Sequence, residues 1–89
     1  MIKLGGNINL KGFDSLDTEQ LVVLKKIVGN KIRDISKKSK FYESVILTLD
    51  DKQISALLQV NKKDLTATAK RKNLFFALND LFDTLEKEI

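Results

Sequence analysis

The last 25 residues of the chain restrict its fold more than any other stretch, because their apolar pattern changes period over a few positions. Apolar and polar residues alternate over 65–70, which is typical of a strand with one buried face. From Leu74 to Ile89 the apolar residues recur every three or four positions, as on one side of a helix. Ala67 and Ala69 are small enough to let a helix lie close above the strand. The pattern predicts a strand followed directly by a helix that packs on it.

Three cations, Lys70, Arg71 and Lys72, lie between this strand and this helix. Asn73 follows them and is suited to cap the helix through its side-chain oxygen. A helix start has unpaired amides and the positive end of the helix dipole, so a phosphate bound there would meet backbone donors and side-chain cations together. A solvated strand end is the alternative interpretation, since lysine is common on protein surfaces.

Alternating residues predict three further strands, over 2–11, 41–49 and 54–60. Gly5–Gly6 is expected to form a bulge or a bend within the first of them. Residues 61–64 are expected to form a hairpin loop that leads into the last strand.

A long helix capped by Asp17 or Ser15 is expected to run to about Lys38. The element order is then β-α-β-β-β-α. Two helices are too few to cover both faces of a sheet, so we predict an α+β two-layer sandwich with one four-stranded sheet and two helices on one face. No linker or composition shift divides the chain, and residues 1–89 are expected to form a single domain.

The first helix supplies a second basic candidate. Lys26, Arg33 and Lys37 fall within about 60° of one another, opposite the apolar stripe, at 100° per residue. A solvated helix face explains these three equally well when they are taken alone. They gain weight as phosphate ligands only if they lie on the same side of the fold as the cations before the last helix.

Composition favours binding over catalysis. The net charge is +4, and residues 1–40 carry nine Lys or Arg against four acids, which suits a polyanion but also serves solubility. The chain has no His and no Cys, so the commonest general base and the thiol nucleophile are missing. Asp50 and Asp51 are expected to form a turn rather than a metal site. We therefore expect no enzyme, no cofactor, no metal and no small-molecule substrate.

The first residues lack an apolar run typical of a signal peptide, and no segment has the length of a membrane span. The expectation is a cytoplasmic protein without a membrane partner.

The residues over 65–69 (LTATA), Asn73-Leu74-Phe75 and 77–83 (ALNDLFD), with Leu85, resemble the ribosome hibernation-promoting factors, also called ribosome-associated inhibitors. Members of this family show two small residues at alternate positions there, then an apolar-aromatic pair and a helix of the Ala-Ile-Asp-x-Leu-Ile-Asp-x-Leu kind. The match runs without a gap over about 25 residues by eye, and elsewhere it rests on the order of elements.

The resemblance implies a short-type factor that binds the decoding groove of the small ribosomal subunit and inhibits translation. In such proteins basic residues of both helices and neighbouring strands contact rRNA phosphates. The RNA-binding residues expected here are Lys26, Arg33, Lys37, Lys70, Arg71 and Lys72. The family's last helix is usually basic, whereas here four acids outnumber Lys87, so the positive charge has moved to the corner before the helix.

A protein-interaction module is the alternative function. The open sheet face is expected to be polar, with Tyr42 among its outward residues and with Ile46 and Leu57 as apolar exceptions, and a homodimer could form there with the help of an edge strand. Phe75 is expected in the core. Phe76 points away from the buried stripe, and we expect it to pack on the first helix rather than to stay free for a base or a partner.

Overall fold

The structure, a computed structural model, describes residues 2–39 and 41–89. Five strands and two helices follow one another, with a single 3₁₀ turn before the first helix. The elements are β1 (Ile2–Leu4), β2 (Ile8–Lys11), the 3₁₀ turn (Phe13–Ser15), α1 (Thr18–Lys38), β3 (Tyr42–Asp50), β4 (Gln53–Val60), β5 (Lys63–Lys70) and α2 (Leu74–Glu88).

All five strands form one mixed sheet in the order β1-β2-β3-β4-β5, so the expected count of four strands is wrong. β2 and β3 are parallel, and the other neighbours are antiparallel. The predicted strand over 2–11 is in fact the β1–β2 hairpin, because Gly6 and Asn7 have positive φ angles and reverse the chain. Leu4 lies opposite Ile8 in this hairpin. Both residues therefore point to the same face, and the alternation looks the same as that of one continuous strand.

The α+β class and the two-layer arrangement are confirmed. Both helices lie on one face of the sheet, and every buried apolar residue within 2–39 and 41–89 belongs to a single cluster between the layers. α2 contacts β4 and β5, as the small residues of β5 predict. The strands contribute Ile8, Leu10, Val45, Leu47, Ile54, Ala56, Leu58, Val60 and Ala67 to this core, and the helices contribute Leu24, Val28, Ile32, Ile35, Ala77, Leu78, Leu81, Phe82 and Leu85.

The helix caps follow the sequence closely. Asp17, rather than Ser15, caps α1, and its carboxylate accepts a hydrogen bond from the Gln20 amide at 2.8 Å. The Asn73 side chain caps α2 as predicted and accepts from the Phe75 amide at 2.8 Å. Each cap pairs a donor of the first turn that has no partner within the helix.

A bulge near Glu43 overturns the outward placement of Tyr42. Tyr42 lies opposite Val60, but Ser44 lies opposite Gln59, so the register shifts between Tyr42 and Ser44. One extra residue reverses the side on which a side chain lies. Tyr42 therefore packs against the core.

The β4–β5 hairpin is tighter than expected. Its loop consists of Asn61 and Lys62 alone, while Lys63 and Asp64 already belong to β5. Asn61 and Lys62 both have positive φ angles, which is the conformation of a two-residue type I′ turn. Asn adopts positive φ angles more readily than most residues other than glycine.

Gly12 permits the close approach of two backbone segments. Its φ is +82°, and the Cβ atom of any other residue at this position would collide with the carbonyl oxygen of Leu49. A side chain at this position is thus disfavoured both by backbone conformation and by contact with a strand that is fixed on both sides. Gly29 is different, since a Cβ atom there would meet nothing within 4 Å.

We expect Gly12→Ala to lower the free energy of unfolding by about 2 kcal/mol or more, because it combines a left-handed backbone with a clash. Gly29→Ala is the matched control and should raise that free energy by about 0.5–1 kcal/mol, since it replaces glycine inside a helix. Urea denaturation followed by circular dichroism measures both. Equal effects of the two variants would contradict the special role of Gly12.

Candidate nucleic-acid interface

The two helices run side by side in the same direction. The Lys38 ammonium and the Glu86 carboxylate join their C-terminal turns at 3.7 Å. At the other end, one groove is lined by Leu16 and Gln20, near the start of α1, and by residues 73–75, at the start of α2. Both helices therefore direct the positive end of their dipoles to the same end of the molecule.

This groove, which we call the helix-start groove, is lined by the acid Asp51 and by three cations. Two of them, Arg71 and Lys72, were expected from the sequence, and the third, Lys52, was not. Lys52 lies in the β3–β4 turn, and the next residue, Gln53, is opposite Lys70 in the β4–β5 pair. If the strand pairs of both hairpins are counted from their turns, the β3–β4 turn is placed beside residues 70–72. The position of Lys52 could have been predicted in this way.

The caps change what the helix starts can bind. The Asn73 side chain already accepts from the amides of Phe75 and Phe76, at 2.8 and 3.4 Å. The Asp17 carboxylate adds a negative charge at the start of α1. An anion in the groove would thus be attracted mainly by the side-chain cations and the helix dipoles, and less by free backbone donors than the sequence suggested.

Arg71 is held by an acid of α2. Its Nε atom donates to Oδ2 of Asp80 at 2.6 Å, and both side chains are about half exposed. The pair fixes the direction of the guanidinium, whose fork has further N–H donors for a second ligand. It also neutralises part of the positive charge that the corner would otherwise present.

Lys70, by contrast, belongs to the open face of the sheet. It is exposed at the end of β5 and lies opposite Gln53. Strand alternation turns its side chain away from the helical layer, whereas Arg71 and Lys72 follow the strand and reach the helix-start groove. The three consecutive cations therefore serve two different faces.

The expected stripe on α1 is exposed throughout. Lys26, Arg33 and Lys37 lie on the side of α1 that is opposite its buried residues. Arg33 also lines a second groove, with Ser36 and the β1–β2 turn at Gly5–Gly6. β1 and β5 are the two edges of the sheet, so Arg33 and Arg71 lie above opposite edges and do not share a groove.

The structure thus brings together two of the six predicted residues, Arg71 and Lys72, and adds Lys52 to them. Lys26, Arg33 and Lys37 form a separate stripe on the same helical layer. The six predicted residues therefore do not converge on a single pocket, a question that the sequence alone left open.

The two aromatic residues at the start of α2 differ in exposure. Phe75 is half-buried against the core and lines the helix-start groove. Phe76 is 58% exposed, so the expectation that it packs on α1 is wrong. It lies in the first turn of α2, close in sequence to the cations of the groove.

The open face of the sheet is polar, as expected. Ile46 and Leu57 lie directly opposite each other on β3 and β4, and each is partly buried by its neighbours. Thr48, Ser55 and Thr66 line the same shallow groove.

Acidic residues offer no metal centre within the described ranges, where no group of three potential ligands comes together. Asp50 ends β3, opposite Gln53, and Asp51 has the positive φ of a turn residue. No helix of the described chain is long and apolar enough to cross a membrane.

No protein-family model matches the sequence, and no curated protein matches it.

Tyr42, in the groove beside Arg33, has an altered pKa. Its hydroxyl donates to the carbonyl oxygen of Gly6 at 2.8 Å, which ties β3 to the β1–β2 turn. Burial raises its pKa from 10.0 to about 12, because the charged phenolate loses hydration there.

The unfolded chain therefore loses the Tyr42 proton at lower pH than the folded chain. The stabilising contribution is complete below pH 10 and is lost as pH rises to about 12. We expect this alkaline loss to be absent in Tyr42→Phe, which should also be about 1 kcal/mol less stable at neutral pH through loss of the hydrogen bond. The chain has one Tyr and no Trp, so tyrosinate absorbance reads this group directly. Ionisation close to pH 10 in the folded protein would contradict the assignment.

Proposed function

We propose that the chain is a non-enzymatic, cytoplasmic RNA-binding protein that docks on rRNA of the small ribosomal subunit and inhibits translation in the manner of a hibernation factor. The observation that carries the proposal is the helix-start groove, where two helix starts and three cations meet. The resemblance of residues 65–85 to that family supports the choice of the ribosome as the partner.

The helical layer supplies the proposed contact surface. Lys52, Arg71 and Lys72 would hold phosphates at one end of it, and the α1 stripe would hold others along its outer side. A rigid RNA surface can engage both sets at once because both helices lie on one face of the sheet. Attraction between such cations and a phosphate backbone is strongly salt-dependent, since bound counterions are released.

The acids of α2 limit this surface. Asp80 already pairs with Arg71, and Asp83 is exposed on the same helix. RNA is therefore expected to approach from the helix starts and from α1, and not along the body of α2. This differs from the resembled family, in which both helices carry the phosphate contacts.

Sedimentation with purified small subunits tests the proposal. We expect co-sedimentation at about 50–100 mM monovalent salt and release as salt rises, because several phosphate contacts are lost together. Absence of the protein from the subunit pellet at the lower salt would remove the proposal.

Two double variants of equal charge locate the contact. Lys52→Ala with Lys72→Ala should weaken binding and reduce the slope of log affinity against log salt by about 2, roughly 1 for each phosphate contact. Lys63→Ala with Lys87→Ala removes the same charge from the opposite ends of β5 and α2 and should leave that slope nearly unchanged. Equal losses in both would indicate only a general effect of net charge.

Exposed Phe76 is positioned to stack on an unpaired base next to the groove. We expect Phe76→Ala to weaken binding by about 1–3 kcal/mol, and Phe76→Tyr to retain binding because the ring is kept. Phe41, which is 67% exposed and lines a different groove with Asn61 and Lys62, provides the control Phe41→Ala. Filter binding of the variants to small-subunit rRNA measures the difference. If Phe41→Ala and Phe76→Ala bind alike, Phe76 has no stacking role.

A further inference from the structure

The two edges of the sheet are unequal. β1 has three residues and carries Lys3 at its centre, which are features that keep an edge from pairing with other strands. β5 has eight residues, no proline and an unbroken register with β4. Its central residues, 65–69, are uncharged. Within residues 2–39 and 41–89 no strand pairs with the outer edge of β5, and α2 packs on its face.

The tight turn determines which backbone groups point outward. Val60 and Lys63 close the two-residue turn, so they form a hydrogen-bonded pair. Such pairs alternate with non-hydrogen-bonded pairs along an antiparallel ladder. The N–H and C=O groups of Asp64, Thr66, Thr68 and Lys70 therefore point away from β4, to the free edge.

We propose that this edge binds a second copy of the chain, with the two β5 strands antiparallel and the two sheets continuous. Thr66 of one copy would lie opposite Thr68 of the other, and Ala67 would lie opposite itself on the two-fold axis. This proposal does not rest on RNA binding, and the contact is distinct from one through the open face.

The register of the β5–β5 pair and the charges at its ends favour a second copy of the chain as the binding partner. Opposite residues of an antiparallel pair lie on the same side, and only residues with outward backbone groups can exchange hydrogen bonds. Pairing Thr66 with Thr68 satisfies both conditions and forms about eight hydrogen bonds between the copies. It also places Asp64 of each copy opposite Lys70 of the other, at both ends of the contact. Just outside these pairs Lys63 faces Arg71, whose charge is already partly neutralised by Asp80 of its own copy. A shift by two residues in either direction loses both opposite-charge pairs within the strand.

The side chains around the contact fit a second strand. Thr66 and Thr68 are exposed, and Leu65 and Ala69 are only partly buried. The second copy would cover Leu65 with Ala69 on the helical side and pair threonines on the open side, a favourable cross-strand combination. In the single chain Asp64 accepts only a long hydrogen bond, 3.3 Å, from Gln59 among the described contacts, which leaves its carboxylate available to the lysine.

Charge reversal tests the register. We expect sedimentation velocity from about 10 μM to about 1 mM to show a monomer–dimer equilibrium. Asp64→Lys and Lys70→Asp, each alone, should raise the dissociation constant by about three- to tenfold, because each sets like charges opposite at both ends. The double variant Asp64→Lys with Lys70→Asp should restore it. Circular dichroism at low concentration confirms that each variant is folded.

Amide exchange tests the strand contact directly. The amides of Thr66 and Thr68 should become protected as protein concentration rises, whereas those of Leu65 and Ala67, which face β4, should be protected at every concentration. Thr68→Pro removes one outward donor without touching the β4 pairing and should raise the dissociation constant by about tenfold or more.

A monomer at about 1 mM would overturn the proposal. A dimer that is insensitive to the charge reversals and to Thr68→Pro would overturn it as well. Loss of that dimer with Leu57→Asp would assign it to the open face instead.

Discussion

The packing of α2 on β5 through small residues is the contact on which the rest of the structure depends. Ala67 is buried and Ala69 half-buried beneath α2, and the connection between strand and helix is only three residues long. A short connection forces the helix to lie back over its own strand. The same connection carries Arg71 and Lys72 to the helix start. One packing constraint therefore builds half of the core and also positions the cationic corner.

The hairpins extend this constraint across the sheet. Because the β3–β4 and β4–β5 turns each have two residues, their registers are fixed from one strand to the next. Lys52 reaches the helix-start groove for this reason, although it lies far before Arg71 in the sequence. The presence of the Lys52 charge in the groove is thus a consequence of turn length. The pairing of Arg71 with Asp80 depends instead on the side of α2 from which Asp80 projects.

Structural features that depend on residues close together in the sequence were predicted correctly. The apolar periods and the Asp17 and Asn73 caps, with the course of both helices, followed from the sequence because each depends on residues a few positions apart. The β1–β2 hairpin was missed because its loop has an odd number of residues. The alternation of apolar and polar residues therefore continues across the loop as if the two strands were one. The bulge that turns Tyr42 inward was missed because a bulge depends on the partner strand. Lys52 was missed for a similar reason, since its neighbours are set by pairing between strands.

The sheet edges show how the two proposed surfaces can coexist. RNA contact is proposed for the helical layer and strand contact for the outer edge of β5, and Lys70 belongs only to the second. A two-fold pairing at β5 would place two helix-start grooves on one side of a ten-stranded sheet, because opposed residues in an antiparallel pair share a side. Two grooves on a rigid sheet would act as linked sites for a polyanion, and the second contact would then form at high effective concentration. Self-association would in that case strengthen the hold on RNA without any new cation.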